Sequence, residues 1–262
     1  MVKGSNDLDL NNSYLHVLAK ITNADCSNIV ANTAGPLNLP LHWMFREISL
    51  KLNGRNVSDT FPLYPNRAYL ETLLNYSKKT QDTRLLCEGW TKDSSGYMGV
   101  TEVAGANAAL NTRAVTFATS IVVKLVGRPN LDVFHQDHLY PPNIYLHMKL
   151  IPAADSFVCK SAVPGAGAAQ QNYKMAIKKM DLIINTKQLT STAQMAHNKL
   201  IHVHNMQTHY SRIKVKHLSI PENQTLISFD NVVTGALLDL VIVCLVSDAD
   251  HAGGYQRNPF NF

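Results

Sequence analysis

Charge is scarce in this chain. Only 16% of the residues are Asp, Glu, Lys or Arg, while 45% are hydrophobic. A disordered chain needs the reverse balance, so a folded protein with ample core material is expected. Runs of like charge are missing too. The 24 Lys and Arg are spread out and the formal net charge is +5, so no basic arm for nucleic acid is read here. The mildly basic balance leaves weak or indirect contact with nucleic acid open, with a solvated surface as the simpler reading. Cysteine is sparse: Cys26, Cys87, Cys159 and Cys244 fit neither a zinc site nor a redox pair. Free thiols in a reducing compartment are expected. No apolar run is long enough to cross a bilayer, since the longest, Leu240 to Val246, is far too short. Met1 to Asn12 is polar and does not read as a signal peptide, so the sequons at Asn11, Asn56, Asn75 and Asn223 are treated as chance matches.

Motifs of chemistry are equally thin. There is no G-x-S-x-G elbow, no phosphate-cradling P-loop, and no cysteine with a readable activating base. Histidines are more plentiful, at 11. On a strand, His202 and His204 would share a face, as in the HxH pair of a cupin. The next glutamate is Glu222 and the flanking glycines of a cupin are missing, so a surface pair is the simpler reading. His135, Asp137 and His138 read as a polar turn between strands. No catalytic residue, metal or cofactor is expected, and an enzyme is not.

What the sequence does contain is strand. Leu15, Val17, Ala19 and Ile21 alternate with His16, Leu18 and Lys20. Ile48, Leu50 and Leu52 alternate with Glu47, Ser49 and Lys51, and Ile144, Leu146, Met148 and Leu150 alternate likewise. Side chains on a strand point to opposite faces in turn, so each pattern describes a sheet with one buried face. Strands are predicted at or near 13–21, 46–52, 116–126, 143–151, 174–184, 211–219 and 238–246. Val241 to Val246 is apolar on both faces and is placed centrally. Asn53-Gly54 supplies the two positive φ angles of a tight hairpin turn into a short strand at Arg55 to Ser58.

Helix is scarce. Pro65-Asn66 can start one with Asn66 as N-cap, and Tyr69, Leu70, Leu73, Leu74 and Tyr76 form an apolar stripe at helical spacing. Leu70, Leu73 and Leu74 are expected to dock this helix onto a sheet. A second, shorter helix is read at Ser191 to Leu200. Glu102 to Asn111 and Ala162 to Gln171, rich in Ala and Gly, read as mobile loops. Many strands with few helices mean an all-β sandwich or barrel of antiparallel sheets.

From Leu41 to Tyr76 the chain resembles a widespread group of animal proteins, many derived from integrated DNA viruses. The resemblance rests on the motifs LNG-x-x-VSD and YP-x-RAYLETLL. These carry Asn53, Gly54, Ser58, Tyr64, Pro65, Arg67, Tyr69, Leu70, Leu73 and Leu74. Further matches follow through LVGRPNLDVFHQDHLYPPNIYLHMKLIPAADSF, AHNKL and GGYQRNPFNF. That group is in turn similar to the double jelly-roll major capsid proteins of Polinton-like elements and large DNA viruses. The resemblance implies an antiparallel jelly-roll sandwich, with residues 1–205 as a first jelly roll and 206–262 as the start of a second, incomplete one. Measured against the family, strands before Leu15 and after the NPFNF end are expected to be missing. It implies a structural capsid subunit that assembles with copies of itself, as a homotrimer, and with other capsid proteins. Its place would be the virion, or the host nucleus or cytoplasm during assembly. A single jelly-roll penton or minor capsid protein is the nearest rival. A lectin-like or cupin-like ligand-binding jelly roll is the rival from another class, and a domesticated gene without an assembly role is a third.

Overall fold

The computed structural model describes residues 6–58, 62–142, 144–162, 172–204, 207–224, 226–230, 232, 235 and 238–261. Its strands are β1 Asp7–Asn23, β2 Ala34–Pro36, β3 Phe45–Leu52, β4 Arg55–Asn56, β5 Val123–Gly127, β6 Leu146–Pro152, β7 Cys159–Ser161 and β8 Tyr173–Lys187. The helices are short: α1 Pro40–Trp43, α2 Tyr64–Asn75, α3 Lys78–Gln81, α4 Ala108–Thr116, α5 Asp155–Val158, α6 Ser191–Val203 and α7 Asp248–Ala252. Every ladder is antiparallel, in three sheets ordered β5-β1-β8, β2-β7 and β4-β3-β6. This β-rich arrangement is compatible with a sandwich.

The alternation in the sequence is what builds the core. Leu15, Val17, Ala19 and Ile21 of β1 are all buried, while His16, Leu18 and Lys20 are half-exposed on the other face. Ile48 and Leu50 of β3 enter the same apolar cluster, and Leu146, Met148 and Leu150 of β6 pack against it. Burying one such side chain contributes about 1.5–3 kcal/mol, so a one-residue slip of β1 would forfeit several at once. The pairing of β1 with β8 shifts register twice, between Asp9 and Tyr14 and between Leu18 and Ala19. Asp9 closes the first of these by accepting from the Asn12 amide (3.2 Å) and the Asn12 side chain (2.9 Å), and Lys187 pairs with it at 2.8 Å.

Several expectations need correction. The strand predicted at 116–126 begins only at Val123. Residues 108–116 are helical instead, because the alanines thought to mark a loop are good helix formers and Asn107 caps them, its Oδ1 accepting from the Leu110 amide at 3.4 Å. The described residues of 211–219 and 238–246 join no ladder. Val241 to Leu245 is exposed rather than central, and Val246 is half-buried. Residue 202 lies in the last turn of α6 and His204 is its C-cap, so the pair is not on a strand. Helix α2 starts at Tyr64, with Leu63 rather than Asn66 in the cap position and Pro65 in the first turn. Most of the second soft loop, 163–171, lies outside the described residues.

Candidate functional site

The motif residues from Asn53 to Leu74 divide into three local jobs. Asn53 and Gly54 take φ of 48° and 80°, as the hairpin between β3 and β4 requires. Asn53 also ties β6 to this turn: its amide donates to the Tyr145 carbonyl and its Oδ1 accepts from the Tyr145 amide, both at 2.9 Å. Ser58 is buried, and its hydroxyl accepts from the Leu50 amide at 2.7 Å. It thus satisfies a β3 donor where the short strand β4 has already ended.

Helix α2 carries the second job. It docks through Tyr64, Pro65, Arg67, Ala68, Tyr69 and Thr72, all buried. Of the leucine stripe, Leu73 is half-buried against the same aromatic cluster as Ala68 and Tyr69, Leu70 is half-buried, and Leu74 is 56% exposed, so the stripe lies at the margin of the docking face and not at its centre. The face is rotated because Arg67 turns inward. Its Nε donates to Glu71 at 2.9 Å and its Nη2 donates to Asp132. Burial opposes the charge on Arg67, but the two carboxylates outweigh it and its pKa is raised. Burial likewise raises the Glu71 carboxyl, against the pull of Arg67.

Tyr64 links this pair to a second buried group. The Asn130 amide donates to its hydroxyl at 3.3 Å, and His42 Nδ1 lies 2.7 Å away. His42 Nε2 meets Glu88 at 3.2 Å. A carboxylate only accepts, so Nε2 carries the proton toward Glu88, and in the neutral ring Nδ1 accepts from Tyr64. Glu88 reaches this position by lying across Gly127 of β5, where a Cβ would stand 2.4 Å from its side chain. Nearby, burial pushes His135 down to about 3, helped by Arg128 and Arg67, so it stays neutral. A shallow depression lined by Leu63, Tyr64, Arg67 and Ile213 opens beside the network.

The third job belongs to Tyr69. It stacks on Phe260, with centroids 3.8 Å apart at 16°, inside an aromatic group with Trp43, Trp90 and Phe157. The chain's last residues are therefore seated against α1 and α2. Asn258 holds them by donating to the Met98 carbonyl at 2.6 Å and accepting from the Phe260 amide at 3.1 Å. Lys160 of β7 donates to the Gly254 carbonyl at 2.7 Å and to the Ser156 carbonyl at 3.3 Å. Lys160 is 1% exposed, and burial pushes its amine down to about 7.

Chemically these networks bind elements of the chain to one another. Among the described residues no group of three His, Cys, Asp or Glu is placed to hold a metal ion, and the four cysteines are free thiols. No helix of the described residues is long and apolar enough to cross a membrane. Sequence reasoning reached Tyr64, Arg67 and Tyr69 as motif positions, but not their partners. His42, Glu88 and Asp132 are separated by 44 residues or more. Only the Arg67–Glu71 spacing of four on one helix carried a local signal. No family model, curated protein or solved structure matches the chain.

Proposed function

We propose that the chain is a non-enzymatic structural subunit of the capsid type, which works by assembling with copies of itself. In this reading the antiparallel sheets form a jelly-roll wall, and residues 206–262 open a second jelly roll. Three copies make the capsomer, other capsid proteins complete the shell, and the protein resides in the virion after assembly in the host nucleus or cytoplasm.

One observation carries this reading. Leu240, Val243 and Leu245 are 75%, 80% and 70% exposed on a segment that joins no sheet among the described residues. Single exposed leucines are ordinary, but a contiguous apolar stretch outside any sheet is a template for another chain. The buried networks around Arg67 and Lys160 are consistent with a rigid building block, because they lock helix α2 and the last residues onto the sheets.

The test is light scattering on the purified chain, paired with negative-stain electron microscopy. Trimers or larger regular particles are expected. A protein that stays monomeric at every concentration and forms no particles would overturn the reading.

A further inference from the structure

The charges of this chain are divided along its length. Residues 1–216 hold 23 Lys and Arg against 14 Asp and Glu, whereas residues 217–262 hold 1 against 5. The first part is thus basic by 9 and the second acidic by 4. Opposite net charge on two parts of one chain is a ready source of attraction between copies.

The fold gathers the basic part. On the outward face of the β5-β1-β8 sheet, Leu18 stands opposite Lys124 on one side and Lys179 on the other. Lys20 and Lys174 continue the row toward the end of β1. These four lysines come from three distant stretches, so no run shows in the sequence. Two acids adjoin them: Asp181 pairs with Lys179 at 2.8 Å, and Asp25 lies beside Lys174. Four lysines against two acids leave the row basic. The other end of the same face is apolar and open, with Tyr14 and Ile183 exposed in paired positions. An apolar patch with a charged margin has the composition of a protein interface.

The acidic part has the complementary pattern. The exposed apolar segment 238–246 is followed by Asp248 and Asp250 in α7, and Asp239 stands near its start. The lengths agree as well. Nine extended residues span about 30 Å, as do the nine residues of β1 from Tyr14 to Thr22. Running in the same direction as β1, the segment would lay its apolar stretch along the face from Tyr14 and Ile183 and bring Asp248, just past its far end, to the lysines near the end of β1.

We infer that copies of this chain associate head to tail, the apolar segment 238–246 and the following Asp248 of one copy docking on the lysine-margined outer face of the β5-β1-β8 sheet of the next. This rests on the self-assembly reading and names the two surfaces that meet. Such an interface joins unlike patches, so it closes into a ring when the rotation allows and otherwise extends. Reciprocal docking of two copies about a two-fold axis closes it, and so does a ring of three.

The experiment is size-exclusion chromatography with light scattering on the full chain. It compares wild type, a face variant (Lys174→Glu with Lys179→Glu) and a segment variant (Asp248→Lys). All three residues are exposed, and circular dichroism checks that each variant keeps its fold. Wild type is expected to associate at about 0.05 M salt and to weaken at about 0.5 M, where exposed charges are screened. Each variant alone is expected to associate at least about tenfold more weakly. Mixing the two variants is expected to restore association in alternating, even-numbered assemblies, because reversed and native charges are complementary only where unlike variants meet. If wild type associates and both variants match it, or if mixing restores nothing, the head-to-tail inference is wrong while self-assembly stands. If wild type never associates, the self-assembly reading fails and the inference with it.

Discussion

Replacing Lys160 by Met tests how the end of the chain is held. The wild-type amine is buried, bonded to the Gly254 and Ser156 carbonyls, and pushed from the ordinary 10.5 down to about 7. Between those values the unfolded chain keeps its proton and the folded chain does not. Raising the pH therefore favours the folded state across this window, and lowering it withdraws that stability until it is fully lost below about 7. The gap of about 3.5 in pH corresponds to at most about 5 kcal/mol, at roughly 1.36 kcal/mol per pH unit. Methionine has a similar length and no charge to desolvate. At pH 6.5 the Lys160→Met protein should be more stable than wild type by a few kcal/mol, an order-of-magnitude figure. At pH 10 the advantage should vanish or reverse by about 1–2 kcal/mol, since two buried carbonyls have lost their donor. Urea denaturation of both proteins at the two pH values measures this directly. A Lys160→Met protein destabilised equally at both would refute the reasoning, because the amine would then be a simple hydrogen-bond donor with an ordinary proton affinity.

Other predictions follow from the same contacts. Phe260→Ala should cost about 3–5 kcal/mol and shift the emission of Trp43 and Trp90, as read by fluorescence-detected unfolding, because the ring fills their aromatic group. Asp132→Ala should cost about 3–5 kcal/mol by leaving Arg67 half-paired in the interior, while Leu74→Ala should stay within about 0.5 kcal/mol; equal urea midpoints for the two would contradict the docking face assigned to α2. Gly127→Ala should force Glu88 off β5 and lower the thermal midpoint by several degrees, with His42→Phe adding little in the double variant because the two changes break one network.

The sequence patterns told most where the physics is local. Alternation over Leu15 to Ile21 and Ile48 to Leu52 located β1 and β3 and the faces they bury, and Asn53-Gly54 located the hairpin. Composition misled at Ala108 to Asn111, where alanines on the helix side of a capping Asn107 were taken for a loop. It also misled at Leu70 and Leu74, because a helical stripe of leucines normally marks the core face. Here the inward turn of Arg67 toward Asp132, 65 residues away, decides the rotation instead. Val241 to Val246 reads as a buried strand, since apolarity on both faces normally means a central position. It joins no sheet among the described residues, and the proposed partner is a neighbouring copy. The Arg67, His42 and Lys160 networks were invisible for the same reason: their members meet only after the sheets form.

The central claim is self-association, and sedimentation equilibrium of the purified chain across the micromolar range tests it most directly. The account predicts a mass of three chains that falls toward one chain on dilution or at high salt. A single-chain mass at every concentration, with the fold intact by circular dichroism, would contradict it.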